Sequence, residues 1–344
     1  MSAAEKPLRS PLTWFGGKGV IAHKIIPLLP PHACYVEPFF GGGSIFWHKG
    51  HVPVETINDV DDGVIHFYRV LRDPAQFGEF RRLCALTPYA RAEFEDCRRL
   101  VAESTDPVER AWAWFVCVRQ AFAGGTGTGA RSGWKYSVSR QSGVEARGQE
   151  AMGKAYWGYR TGNVGNSAGN RWLSTVAGLP EVHARLQGVQ IEHGDWTRVM
   201  DAYAKPDVCC YLDPPYVMET RGRYSKRYAY ELADAMNEGG RIWTVTPTQM
   251  EADVVAHHAL VDYLLACPAM IVLSGYRFRP VHDRLEERGW QRIDLDVALS
   301  SPRQRTGVRR VESVWRNPSA VAAWMQARQQ QPLFREESGT EGDR

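Results

Sequence analysis

One stretch constrains this chain more than any other. The apolar run Val208-Cys209-Cys210-Tyr211-Leu212 stops abruptly at Asp213-Pro214-Pro215-Tyr216. A short β-prone run bounded by a proline pair reads as a buried strand with a fixed end. Two successive prolines set two φ angles and remove two backbone N–H donors. The resulting turn is rigid, rich in carbonyl acceptors, and lies between a carboxylate and an aromatic ring. That chemistry suits a flat group carrying an exocyclic amine, such as a nucleobase. The same string also serves as a plain strand-ending turn with a surface Asp and Tyr, so the reading depends on whether a second binding element exists upstream.

Two upstream segments have that character. Leu12-Thr13-Trp14-Phe15-Gly16-Gly17-Lys18 precedes Val20–Ile26, whose apolar spacing predicts a short helix ending near Pro27. Trp14 and Lys18 offer a ring face and a cation to an aromatic ligand bearing a carboxylate. Next, Ala33–Glu37 reads as a strand, Pro38-Phe39-Phe40-Gly41-Gly42-Gly43-Ser44 as a glycine-rich turn, and Ile45-Phe46-Trp47 as the start of a helix. Strand, glycine turn and helix form the opening of a doubly wound nucleotide site. The turn is neither a G-x-G-x-x-G nor a P-loop, and Glu37 repels phosphate, so a nucleoside without phosphates fits better. Pro53–Asp59 predicts a second strand tipped by an acid, where such folds hold ribose hydroxyls. Asp59 suits equally the N-cap of a helix over Gly63–Leu71.

In this order the residues resemble the Dam-like N6-adenine DNA methyltransferases, which carry W-x-G-G-K, V-E-P-F-x-G-x-G-S, an acid-tipped second strand, a recognition insert and D-P-P-Y. The chain has Trp14–Lys18, Val36–Ser44, Asn58-Asp59 and Asp213–Tyr216 in those positions. The likeness covers roughly residues 10–75 and 180–318. It implies an α/β, Rossmann-like S-adenosylmethionine-dependent methyltransferase fold with an inserted helical plus hairpin target-recognition domain. The implied division is a catalytic domain at 8–72 and 178–320, with the insert at 73–177. S-adenosylmethionine is the implied cofactor, met by Trp14, Lys18, Glu37, Phe39, Gly41, Gly43, Asp59 and Asp213. Ile191–Trp196 resembles a further family segment lining the cofactor's adenine, which adds Asp195 and Trp196; a simple strand-to-helix turn explains it equally. The implied reaction is methyl transfer to adenine N6 in double-stranded DNA. In it, Asp213 and the Pro214 carbonyl accept the amine's hydrogens, Pro215 stiffens the turn, and Tyr216 stacks on a flipped-out base. An RNA adenine, a cytosine N4 amine, or a catalytically silent DNA-binding module remain alternatives.

The middle of the chain supplies a polyanion-binding surface. Pro74–Phe122 has helical periodicity in three pieces starting near Pro74, Thr87-Pro88 and Asp106-Pro107, and Ala111–Val118 is apolar all round, hence core. Between Arg119 and Arg171 stand eight basic residues against two acidic ones, interleaved with Trp134, Tyr136, Tyr156, Trp157 and Tyr159. That is the footprint of a nucleic-acid surface. Gly133–Ser139 alternates like a hairpin strand narrow enough for the major groove. The candidate DNA contacts are Arg119, Arg131, Trp134, Lys135, Tyr136 and Arg140. Downstream, Arg221, Arg223, Lys226 and Arg227 among Tyr224, Tyr228 and Tyr230 suit a loop closing over DNA. The family's N-G-x-x-R-x-N and G-x-F-N-V-P survive here only in outline, so the resemblance assigns no target sequence.

Toward the C-terminus, Ala269–Tyr276 predicts a fifth core strand, and Trp290–Leu299 with Arg309–Trp315 a closing antiparallel pair. From about Met325 the composition turns polar and charged, predicting a disordered tail to residue 344. Inside it, Gln330-Gln331-Pro332-Leu333-Phe334 resembles the Q-x-x-L-F peptide with which bacterial DNA enzymes dock on the sliding clamp. The net charge of +3 predicts no partner by itself, and the seven cysteines show no C-x-x-C spacing. These features, with no signal peptide and no long apolar run, predict a soluble cytoplasmic protein with neither zinc site nor disulfides.

Overall fold

The structure is a computed structural model that describes residues 8–14, 16–121, 133–136, 167–221, 232, 247–297 and 310–330. Its centre is a seven-stranded sheet in the order β3-β2-β1-β4-β5-β7-β6. The strands are β1 Cys34–Glu37, β2 Val54–Asp59, β3 Gln190–His193, β4 Val208–Leu212, β5 Met270–Gly275, β6 Gln291–Val297 and β7 Arg310–Arg316. Strands β1 to β5 pair in parallel, and β7 runs antiparallel between β5 and β6. The predicted fifth strand and closing pair are therefore present.

Parallel strands buried on both faces read as continuous apolar runs. Accordingly every residue of β4 and of β5 is buried. Successive side chains still alternate between faces. Tyr35, Cys209, Tyr211 and Val272 enter one core, and Val36, Cys210, Leu212 and Leu273 the other.

The helices are α1 Ala22–Ile25, α2 Ser44–His48, α3 Asp62–Arg72, α4 Pro74–Leu86, α5 Arg91–Glu103, α6 Pro107–Gln120, α7 Ala168–Ala177, α8 Leu179–Leu186, α9 Trp196–Tyr203, α10 Pro247–Ala266, α11 Arg279–Glu287 and α12 Pro318–Gln330. Two of them, α4 and α6, start as the sequence predicts, whereas α3 is capped two residues after the expected Asp59. Asp61, Asp73 and Asp106 cap α3, α4 and α6 through their carboxylates, with Pro74 and Pro107 in the first turns, where a proline's missing N–H costs nothing. Helix α6 is buried from Ala111 to Val118, as its all-round apolarity requires.

One core joins α1 to α8 to the near face of the sheet; α9, α10 and α11 cover the far face. The residue-73 boundary drawn from the resemblance therefore does not separate two cores. Phe67 of α3 stacks on Phe115 of α6 at 5.1 Å, and Thr13 hydroxyl donates to the Val118 carbonyl at 2.7 Å. Residues 325–330, predicted to belong to a disordered tail, are helical. Helix α12 continues through Met325 to Gln330, anchored by Trp324, whose indole N–H donates to the Pro27 carbonyl at 2.8 Å. Among the described residues no helix is long and apolar enough to cross a membrane.

Candidate active site

In a doubly wound sheet, ligands bind outside the carboxyl ends of the strands, at the point where strand order reverses. Here that point lies between β1 and β4. Their ends carry Glu37 and Asp213, the two segments that sequence reasoning singled out. The crevice between them encloses about 730 Å³ of space, its open mouth included. Trp14, Lys18, Glu37, Phe39, Asp59 and Asp213 all line it, with Gly41, Gly43 and Pro215.

The glycine turn is shaped by contact. Gly41 and Gly43 have φ of 48° and 61°, the left-handed region that side chains other than glycine disfavour. A Cβ at Gly41 would sit 2.5 Å from the Trp14 indole nitrogen, and one at Gly43 would overlap the Phe40 ring. The turn thus holds Trp14 against its own backbone.

Asp59 ties this turn to β2. Its Oδ2 accepts the Gly41 N–H at 2.6 Å, and Oδ1 accepts the Asp61 N–H at 2.9 Å. The cap of α3 is Asp61, not Asp59, accepting from Gly63 at 2.8 Å. Burial, then the Asp59 charge, pushes the Asp61 carboxyl up to about 7. Burial likewise raises Asp59, against its backbone donors.

Glu37 is 2% exposed, and its Oε1 accepts the Tyr35 hydroxyl at 2.8 Å. Its Oε2 is buried without a hydrogen-bond partner. Burial outweighs the Tyr35 bond and the Lys49 charge, pushing the carboxyl from 4.5 up to about 8. An orphaned buried oxygen on a cavity wall lacks a donor or a cation.

Asp213 faces Glu37 across the crevice. The Lys18 ammonium donates to both of its oxygens at 2.6 Å and to the Gly16 carbonyl at 3.0 Å. Ser274 hydroxyl adds a bond to Oδ1 at 3.2 Å and is itself joined to the Tyr211 hydroxyl at 2.8 Å. Lys18, expected to grip a ligand carboxylate, is instead 5% exposed and paired with Asp213.

Tyr216 departs from its expected role as an open stacking face. It is 7% exposed, lies 4.8 Å beneath the Lys18 ammonium and meets Tyr276 edge-on at 4.7 Å. Its hydroxyl donates to Glu312, a buried acid on β7 whose Oε1 lies 3.7 Å from Lys18. Sequence reasoning missed Glu312, although a lone acid inside Val311-Glu312-Ser313-Val314-Trp315 was the signal. It also missed Ser274, Tyr211 and Asp61.

Asp195 and Trp196 do not line the crevice. Asp195 caps α9 through the Thr197 N–H at 2.8 Å, and Trp196 packs in the far-face core against Phe39 and Tyr263. Their turn still abuts the site: Asn58 side-chain amide donates to the Gly194 carbonyl at 3.0 Å, and Gly194 N–H to the Asp59 carbonyl at 3.3 Å.

The expected DNA contacts divide. Arg221 is 8% exposed, with its guanidinium on the Tyr216 carbonyl; it braces the Asp-Pro-Pro-Tyr turn and offers no cation to a polyanion. Arg119 bonds the Thr175 hydroxyl within the helical layer. Trp134 pairs antiparallel with Ala121 and forms a stack: Tyr89 at 5.3 Å, Tyr136 at 6.1 Å, and the Arg91 guanidinium over both Trp134 and Tyr136 at 5.2 and 5.9 Å. Tyr136 is 40% exposed. Burial first, then Arg171 and Arg119, bring the Lys135 amine down to about 8. Arg131, Arg140, Arg223, Lys226 and Arg227 lie outside the described residues, as do 331–334 of the clamp-like string.

Sheet order, glycine turn and acid-tipped strands around one crevice define an α/β, Rossmann-like methyltransferase fold. Comparison with known proteins agrees. Residues 14–109 match the model of the D12 class N6 adenine-specific DNA methyltransferases. The DNA N-6-adenine-methyltransferase of Escherichia phage P1 is 37% identical over 67 residues, 20% of this chain and 9% of that protein. The DNA adenine methylase of Serratia marcescens is 29% identical over 121 residues, 35% of this chain and 44% of that one. The DNA adenine methylase of Vibrio cholerae serotype O1 is similar at 29% over the same share of this chain and 43% of its own. The chain thus spans less than half of each relative it matches. The resemblance drawn from the motifs is borne out at the level of family.

Proposed function

We propose that this protein transfers a methyl group from S-adenosylmethionine to the N6 amine of adenine in double-stranded DNA. The observation that carries this reading is the convergence of Glu37, Asp59, Lys18 and Asp213 on one crevice at the sheet's switch point. The relatives named for adenine methylation support the choice of base and polymer.

The residues present fit the cofactor. Trp14 offers a ring face and Asp59 free lone pairs for ribose hydroxyls beyond its two backbone bonds. The orphaned Glu37 oxygen suits a cationic group. The Gly194 turn, bonded to Asp59, borders the crevice at the tip of β2. When bound, S-adenosylmethionine supplies an electrophilic methyl on a sulfonium.

The chain's own work is on the acceptor. The adenine amine's lone pair is conjugated with its ring, so it is a weak nucleophile. Asp213 and the Pro214 carbonyl accept its two N–H bonds, draw the nitrogen toward tetrahedral geometry and favour the positive charge that grows there. A preorganised partner of this kind is worth about 3 kcal/mol. Pro215 keeps the turn rigid, and Tyr216 stacks on the extruded base once the covering Lys18 shifts; extrusion is required because the duplex hides the amine. Target recognition we assign to 73–177, with the Arg91-Trp134-Tyr136 stack as its described contact surface. The Gln330–Phe334 string would dock the enzyme on a sliding clamp, so deleting 331–344 should abolish clamp pull-down and leave methylation of short duplexes intact.

Labelled-methyl transfer to unmethylated genomic DNA and to RNA tests the proposal. Label in DNA with wild type, and its loss in an Asp213→Ala variant that still folds, is expected. Label in RNA alone, or full activity in the variant, contradicts it.

A further inference from the structure

The pairing of Lys18 with Asp213 poses a problem for the reaction just proposed. With the ammonium on both carboxylate oxygens at 2.6 Å, the charge of Asp213 is already neutralised. A cation also stands where positive charge must grow on the amine. Lys18 has to leave, yet it is 5% exposed and flanked by protein. Parting a buried ammonium from its carboxylate is strongly unfavourable unless another acceptor meets it.

One lies within reach. Glu312 is 4% exposed, and its Oε1 is 3.7 Å from the Lys18 nitrogen. Its Oε1 already accepts the Tyr216 hydroxyl, which fixes the carboxylate. The Tyr216 ring runs beneath the ammonium at 4.8 Å, and the Gly16 carbonyl at 3.0 Å can retain a third proton during a short displacement. Desolvation raises the Glu312 carboxyl, and the Lys18 charge opposes that rise most strongly among its neighbours. A closer ammonium therefore stabilises the carboxylate.

We propose that Glu312 is the second station of Lys18: when the target amine takes Asp213, the ammonium crosses to Glu312, which keeps it neutralised and out of the bonds that the amine needs. Glu312 is thus a positioning residue that acts through Lys18. The inference rests on the reading of Asp213 as the amine's anchor.

Two measurements test it. The first is steady-state methyl transfer to genomic DNA by Glu312→Gln, whose side-chain carbonyl still accepts the Tyr216 hydroxyl. The expected result is a kcat lower by about tenfold, with KM for both substrates within about twofold and an unchanged melting temperature, the pattern of an interaction made only on the way to the transition state. A kcat equal to wild type, or a raised KM at constant kcat, overturns the proposal, because a purely structural or binding role gives those patterns. The second is a crystal structure of Asp213→Asn, which needs no activity and decides the matter if Glu312→Gln fails to fold or the wild type methylates nothing. Lys18 should lie about 3 Å from Glu312, hydrogen-bond range. Lys18 still on the side-chain oxygen of residue 213 overturns the proposal.

Discussion

Replacing Glu37 with glutamine isolates the electrostatics of the cavity wall. The folded protein holds the Glu37 carboxyl at about 8 against an ordinary 4.5. Between those values the native state binds a proton that the unfolded state has released, so stability falls as pH rises across the window and levels off above about 8. At 1.36 kcal/mol per pH unit, the full window amounts to about 5 kcal/mol as an order of magnitude. Asp61, held up to about 7, and the raised Asp59 and Glu312 act in the same direction, but they are common to both proteins and cancel in the difference. Urea unfolding of wild type and Glu37→Gln, without ligand, gives that difference directly. At about pH 5 the protonated acid and the amide should be nearly equal in stability. By about pH 8.5 the variant should be more stable than wild type by several kcal/mol. A difference that stays flat over this range refutes the argument. The same logic requires cofactor binding at neutral pH to release protons from wild type, because a cation beside Glu37 lowers its carboxyl; calorimetry in two buffers of unlike ionisation enthalpy reads that release.

Three other outcomes follow from particular contacts. Asp213→Ala should cut methyl transfer at least about a hundredfold while circular dichroism shows the fold retained, since Glu312 remains 3.7 Å from the freed Lys18. Gly41→Ala places a side chain at φ 48° and 2.5 Å from Trp14; it should cost about 1–3 kcal/mol in urea unfolding and weaken cofactor binding measured by titration calorimetry. Trp134→Ala dismantles the stack with Tyr136 and Arg91; it should weaken DNA binding by about 1–3 kcal/mol, read by fluorescence anisotropy at one fixed salt concentration, with cofactor affinity unchanged.

What the sequence disclosed follows from which interactions are local. The β1 and β4 ends were legible because Gly41-Gly42-Gly43 and Pro214-Pro215 dictate backbone shape by themselves, and both turns lie where expected. The starts of α4 and α6 were legible for the same reason, through Asp-Pro pairs. The partners of those turns were not. Whether Lys18 faces a ligand or Asp213 is decided across 195 residues, and Glu312 reaches Tyr216 across 96. Arg221 looked like a DNA contact because its neighbours are basic, yet it is buried with its guanidinium on the Tyr216 carbonyl, five residues back, as a brace. The stretch 325–330 was misjudged because its polar composition masks a helix anchored by its earlier residues, Ala320 in the core and Trp324 on the Pro27 carbonyl.

The central claim is the identity of the methylated product. Unmethylated genomic DNA, incubated with the protein and S-adenosylmethionine, then digested to nucleosides and analysed by mass spectrometry, should yield N6-methyldeoxyadenosine with wild type and none with Asp213→Ala. A modified deoxycytidine in its place, or no methylated nucleoside at all from folded wild-type protein, would contradict the account.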